Sequence, residues 1–372
     1  MDGSLALLRL AFVLASPLCA AGSDLLGAPL GPKAAALVDA AVRAEMTRQE
    51  AVGVAVGVIR GAKVVYLRGY GYADKEAGTP VTVRTLFRWA SVSKPVTAVA
   101  ALQLFEQGRL GLDDDILKYL PEFPRKDPPP ITVRQLLCHQ AGVVHYSNGP
   151  VLGTKREYPG LAHPLTDPVN AMDVFNRSPL VSTPGAAYNY STHGYVLLSA
   201  VVQRAGGKPF ARQLDERVAR PLGMTTLAPD LPWVKEPDRV QGYVKKDGKL
   251  VIAEDEDVSW KLGGGGLHSD IEDMARFAAG LMSGRLVGKK AEALMWTDQA
   301  TPDGKPTGMG LGFELSGAGK DLKVYHGGSQ AHTRTRMAFY PATGRGVVVM
   351  TNSEHVDPAD ISAAVFASGA FD

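Results

Sequence analysis

The chain has 372 residues, 45% hydrophobic and 21% charged, enough to bury a sizeable core without help from disulfides. A formal net charge of +2 and the lack of any dense Lys/Arg block argue against a nucleic-acid partner. Two cysteines, Cys19 and Cys138, give neither a disulfide framework nor metal-ligand spacing.

Leu5 to Leu18 is an apolar run broken by Arg9, and Cys19-Ala20-Ala21-Gly22 offers small residues for cleavage. Residues 1–22 therefore read as a secretory signal with a weak front end, because Asp2 offsets the amino-terminal charge. That reading places the mature chain in the periplasm or outside the cell. The run is short for a bilayer and no other segment could cross one, so no stable membrane span is expected.

Lys33 to Glu50 has helical spacing on an Ala-rich background. Val52–Arg60 and Lys63–Tyr72, split by Gly61-Ala62, read as a β-hairpin whose first strand is apolar on both faces. Val96 to Gln107 is apolar on all sides and reads as a buried helix that stops at Gly108. Asp113-Asp114-Asp115 suits a helix start better than a metal site. Ile131–Leu137 is a short helix capped by Thr132, and Cys138–Gly142 a turn. The chain is loop-rich from Val143 to Pro184, with a helical piece at Val169–Phe175. Helices are expected from Gly194 and from Pro209 to Val218, and another capped by Ser269 or Asp270 through Leu281. Lys245–Lys249 is a hairpin-like turn. The carboxyl-terminal part is β-rich again: Met309–Leu315, Lys323–His326, Thr333–Tyr340 and Gly346–Thr351, with a last helix over Asp360–Ala370.

Strands at both ends and helices between them imply an α/β fold, an antiparallel sheet flanked by helices and built from both termini. Residues 30–90 and 262–372 would form the sheet domain and 91–261 a mostly helical insertion, with the active site in the cleft between them.

Ser91-Val92-Ser93-Lys94 opens the buried helix. A spacing of three in the first turn stacks hydroxyl and amine on one face. The helix dipole and burial both disfavour an ammonium there, so Lys94 could take a proton from Ser91. On the tetrapeptide alone, an N-cap serine and a solvated lysine explain it more simply.

Two further boxes follow in order: Tyr190-Ser191-Thr192 and His326-Gly327-Gly328-Ser329. With them the chain resembles the serine β-lactamase/penicillin-binding protein superfamily, in the branch of class C β-lactamases, D-alanyl-D-alanine peptidases and family VIII esterases. Tyr119–Pro124, His145-Tyr146, Gly194-Tyr195 and Met295-Trp296-Thr297 make it most similar in motif to mitochondrial serine β-lactamase-like proteins and their bacterial relatives. The resemblance implies Ser91 as nucleophile, Lys94 as its proton acceptor or orienter, and Tyr190 as partner base and acid, with Tyr188 the alternative in register. A phenol would work at neutral pH only if a cation such as Lys94 lowered its pKa. The backbone N–H groups of Ser91 and Ser329 would form an oxyanion hole. His326 would stand at the Lys of a Lys-Thr-Gly box, with Gly327 in place of Thr and Gly328 admitting substrate close to the backbone. Thr192 replaces the Asn of Tyr-x-Asn, which lowers the expectation of β-lactam turnover. Arg334 and Arg336 alternate on one strand face; either suits a substrate carboxylate, and an exposed face explains them equally well.

Gly327-Gly328-Ser329-Gln330-Ala331 imitates a nucleophile elbow, but strand rather than helix is expected after it. No H-E-x-x-H occurs, and Gly263–Gly266 lacks a following Lys-Ser/Thr, so neither metal nor cofactor is implied. The implied activity is that of a metal-independent serine hydrolase working through an acyl-enzyme on amide or ester bonds, β-lactamase-like or a peptidase of D-amino acids or other residues. A family VIII-type carboxylesterase is the alternative. A catalytically silent peptide- or peptidoglycan-binding or self-assembling relative is the alternative of another class. The expected partner is a small-molecule or peptide substrate, with self-association left open.

Overall fold

The computed structural model describes residues 23–372; the secretory-signal reading and Cys19 lie outside the described residues. Strands from the two ends of the chain meet in one seven-stranded sheet, ordered β3-β2-β1-β12-β11-β10-β9. β1 (Gly53–Arg60), β2 (Lys63–Asp74) and β3 (Thr79–Pro80) come from the amino-terminal part. Five short strands outside this sheet lie between: β4 (Phe87–Arg88), β5 (Ala228–Pro229), β6 (Tyr243–Lys246), β7 (Lys249–Ile252) and β8 (Leu267–Ser269). β9 (Glu314–Ser316), β10 (Lys323–Gln330), β11 (Thr333–Tyr340) and β12 (Arg345–Thr351) complete the sheet. Antiparallel pairing of β1 with β12, from Val54 opposite Thr351 to Ile59 opposite Gly346, joins the two ends.

Every residue of β1 except Arg60 is buried, as its unbroken apolar run requires of a strand covered on both faces. On one face Val54, Val56, Val58, Val347 and Val349 pack against helix α1 (Pro32–Gln49) through Val38 and Val42. Burying each such valine stabilises the fold by about 1.5–3 kcal/mol relative to exposure. The opposite face, with Ala55, Ile59, Val348 and Met350, belongs to the larger core that takes in the remaining buried helices.

Helix α2 (Ser93–Glu106) runs through that core, with all but three of its residues buried. Helix α3 (Val133–Leu137) begins at a capping box in which Thr132 and Gln135 satisfy each other's backbone N–H. Helix α4 (Thr192–Gly206) starts two residues before the expected Gly194, because the Ser191 hydroxyl accepts from Gly194 N at 2.9 Å and so caps the turn. α5 (Leu262–Gly265) is a single turn, α6 (Ile271–Met282) is capped by Asp270, and α7 (Pro358–Ala367) closes the chain.

Differences from the sequence reading have local causes. Met309–Leu315 is strand only from Glu314, since Gly308 and Gly312 take positive φ of 69° and 90° and break the extension. β10 continues through Gln330, four residues past His326, so the glycine-serine box lies within a strand, as rejection of the elbow requires. Among the described residues no helix is long and apolar enough to cross a membrane.

Candidate active site

The turn that presents Ser91 is held from several sides. β4 pairs with β8, Trp89 N donates to Leu267 O at 2.8 Å, and the Trp89 indole N–H donates to Ser269 Oγ at 2.7 Å. From β11, Thr333 Oγ1 donates to Arg88 O at 3.1 Å and Thr335 Oγ1 to Trp89 O at 2.9 Å. Ala90 then takes φ +47°, a left-handed conformation costly for a residue with a Cβ, and the chain enters α2. A Cβ at Gly328 would collide with Thr335 Oγ1 and the Trp89 carbonyl, so only glycine lets β10 lie this close to the turn.

Lys94 is fully buried. Its Nζ lies 3.0 Å from Ser91 Oγ, 3.2 Å from Thr192 Oγ1 and 2.6 Å from Gly264 O. Gly263 and Gly264 make that approach possible. A Cβ on either would press on Ser199 or Thr192, and Gly263 O also accepts from Thr97 Oγ1 at 2.7 Å. No described carboxylate pairs with Lys94, and burial holds its pKa well below the ordinary lysine range, helped by the positive charge of Lys261 and opposed by Glu314.

Tyr190 and not Tyr188 addresses the serine: its phenol interacts with the Ser91 side chain, while Tyr188 is exposed at the rim. The condition set for Tyr190 as a neutral-pH base, a pKa lowered by Lys94, is not met. Burial pushes the phenol up, and the lysine Nζ lies over the Tyr190 ring, 4.8 Å from its centre, rather than against the hydroxyl. Beneath the ring lies His139, 4.3 Å away between centres, whose Nδ1 accepts from Ser191 N at 3.1 Å. His145 Nδ1 likewise accepts from Thr192 N at 3.2 Å. Burial keeps both rings neutral, lowering His145 to about 4 and His139 well below its usual value.

On the opposite wall His326 is buried, with Nδ1 2.7 Å from Gly327 O and Nε2 without a partner; burial brings its pKa to about 3. It therefore brings no positive charge to the lysine position of the box at which it was expected to stand. Gly327 N donates to Glu314 Oε1 at 3.4 Å, so this residue faces away from β11. Alternation along the strand turns the Ser329 N–H the same way, toward the cleft. Arg334 is taken up locally: Nη1 donates to Gln330 O and Thr333 O, both at 2.8 Å, and Nη2 lies 3.8 Å from Glu354. Arg336 lies opposite Gly327, its guanidinium 4.1 Å from the Tyr325 ring centre and its Nε without a partner.

These groups border an open cleft of about 660 Å³, lined by Ser91, Tyr190, Thr192, Gly264, His326 to Gln330, Arg334 and Arg336 together with Lys261, Glu314, His145 and Tyr146. The three boxes thus meet in one place. Missing from the sequence reading as site residues were His139, His145, Glu314 and Lys261. Their neighbours in space are far away in the chain, and only the stretches around the two histidines carried a motif. Among the described residues no group of three or more His, Cys, Asp or Glu is placed to hold a metal ion.

A serine and an uncompensated lysine beneath an open cleft, on an antiparallel sheet made from both ends of the chain, agree with the family comparison. The chain belongs to the Beta-lactamase family, which it matches over residues 38–369. Among its curated relatives, esterase EstB of Burkholderia gladioli is 36% identical over 202 residues, 51% of this chain and 50% of that protein. The mitochondrial serine β-lactamase-like protein LACTB of Homo sapiens is 30% identical over 303 residues, 64% of this chain and 54% of that one. The chain spans about half the length of these curated relatives. A solved D-stereospecific amidohydrolase from Streptomyces sp. superimposes with a TM-score of 0.70 at 26% identity, covering 89% of this chain and 98% of that one.

Proposed function

We propose that the chain is a serine hydrolase that carries an acyl group on Ser91 between an ester or amide and water. The observation that carries this reading is the Lys94 amine, buried without a carboxylate and 3.0 Å from Ser91 Oγ. Ser91 Oγ attacks the substrate carbonyl carbon as its proton passes to Lys94 Nζ, and the Ser91 and Ser329 N–H groups hold the oxyanion. The C–O or C–N bond then breaks. Tyr190, which burial keeps protonated, gives the leaving group its proton and recovers one from Lys94. Water attacks the acyl-serine through the same groups in reverse and frees the acid.

Within this class neutral esters and amides come first. Arg334 is occupied by local acceptors, Gly327 offers no hydroxyl, and the Glu314 carboxylate beside Gly327 repels a substrate carboxylate. Arg336 is the guanidinium left for a carboxylate-bearing β-lactam or D-alanyl peptide. Names among the relatives, an esterase and an amidohydrolase, support the same order. Parallel turnover of a p-nitrophenyl ester, nitrocefin and a D-Ala-D-Ala peptide by wild type and Ser91→Ala tests the reading. Ester turnover that disappears in Ser91→Ala is expected. Hydrolysis that survives the substitution, or none in the wild type, would overturn it.

A further inference from the structure

A Lys-Thr-Gly box would offer a substrate anion an ammonium and a hydroxyl; β10 offers neither. A carbonyl only accepts, so the contact of His326 Nδ1 with Gly327 O, at 2.7 Å, fixes the hydrogen on that nitrogen. The buried, neutral ring therefore turns neither a charge nor a free N–H toward the cleft, and Gly327 has no side chain to add. What this wall does present is Glu314, on the edge strand β9 beside β10, with a side chain 35% exposed and lining the cleft. Its carboxylate is thinly held. Gly327 N donates to Oε1 at 3.4 Å, and His326 Nδ1, 3.8 Å from the same oxygen, has already given its hydrogen to Gly327 O. Arg336 is the guanidinium that could compete, but it stacks on the Tyr325 ring and forms no ion pair with Glu314.

Tyr190 puts this wall on the side of the departing group. Its phenol supplies the leaving atom's proton, and its ring centre is 6.4 Å from that of His326, which Glu314 adjoins. Tyr188, exposed at the rim, lines the same cleft, and both phenols feel the Glu314 charge. A carboxylate among phenol rings attracts an ammonium and repels a carboxylate.

We propose that Glu314, with His326 behind it and Tyr188 at the rim, forms a subsite for a cationic group on the leaving part of the substrate. Esters of amino alcohols, or amides of diamines, are then hydrolysed in preference to uncharged counterparts of the same shape. The inference rests on the hydrolase reading above and adds a substrate class to it.

The test compares acetylthiocholine with the thioacetate in which a carbon replaces the ammonium nitrogen, two substrates alike in shape and different in one charge. In both, Ser91 takes the acetyl group, the C–S bond breaks, the thiol is released and water frees acetate; the thiol is followed by its reaction with a chromogenic disulfide. At about pH 8, above the carboxylate range, the wild type is expected to favour the cationic thioester by about five- to tenfold in kcat/KM, the worth of a partly exposed ion pair with aromatic neighbours. Glu314→Gln keeps the shape and an acceptor for Gly327 N, and should bring that ratio close to one, chiefly through KM of the cationic substrate. Because it is a ratio, it cancels any general change in rate. Glu314→Ala gives the same reading if the glutamine variant does not fold, judged by circular dichroism. No preference in the wild type, a preference that survives both substitutions, or turnover of p-nitrophenyl acetate without turnover of acetylthiocholine would overturn the inference. Wild type that turns over none of the three, or turnover that persists in Ser91→Ala, would instead sink the hydrolase reading, and neither result involves Glu314.

Discussion

Arg88 and Lys94 are buried basic side chains on the same short stretch, and their surroundings are opposite. Arg88 is enclosed by acceptors: Asp230 at Nε, Asp255 at 2.7 Å from Nη2, and the carbonyls of Ala331 and Glu256. Lys94 has one carbonyl, two hydroxyls and no carboxylate. A buried guanidinium matched by carboxylates locks β4, the β10–β11 turn and the Glu256 segment together. A buried amine left unmatched sheds its proton, and a neutral amine beside a serine is a base. The contrast separates a group that holds the site in place from one that works in it.

Paired substitutions sharpen that contrast. Lys94→Met is expected to slow Ser91 labelling by about 100- to 10,000-fold, the usual worth of a general base, with the urea midpoint unchanged or raised. Arg88→Met should do the converse: it takes from the buried Asp230 one of its two arginine partners, Arg239 remaining at 2.9 Å, a loss of up to about 3–5 kcal/mol read by urea unfolding, with labelling per folded molecule much less affected. If both variants lost stability and activity in proportion, the distinction would fail. Tyr190→Phe comes next, with an expected loss of about 100-fold in turnover of a substrate with a poor leaving group and a smaller loss with p-nitrophenyl esters, whose leaving group needs no proton. Gly328→Ala forces β10 away from Trp89 and Thr335. It should cost about 1–3 kcal/mol of stability and slow labelling, since Ser329 moves with the strand.

A different kind of effect is on acid stability. His326 has a folded pKa of about 3, below its unfolded value of about 6.5. Its contribution is fully present above the unfolded pKa and is lost as pH falls from there toward about 3, on the order of 1 kcal/mol per pH unit. His326→Asn should flatten the fall of the urea midpoint between pH 7 and 4; an unchanged slope would mean that the ring already carries a proton.

Much of this was legible in the sequence because the signals were local. The i, i+3 spacing of Ser91 and Lys94, the Thr132 cap, the β1–β2 hairpin and the order of the three boxes need only neighbouring residues. What escaped depends on contacts across the chain. His139 lies beneath Tyr190, Glu314 caps Gly327 N, and Lys261 owes its position to Glu256 and, through it, to Arg88. The condition that Lys94 lower the Tyr190 pKa could be stated from the sequence, but not the burial that pushes the phenol up nor the placement of the amine over the ring, both of which come from packing across the chain. Arg334 shared a strand face with Arg336 as its spacing required, but alternation says nothing about which carbonyls a guanidinium will find.

The protonation state of Lys94 can be read directly by following lysine Nζ resonances in ¹⁵N-lysine-labelled protein through a pH titration, with Lys94→Met to assign the signal. One amine that titrates well below all the others, and is missing from the variant, is the expected result. A Lys94 signal that titrates with the surface lysines would contradict a neutral base at Ser91.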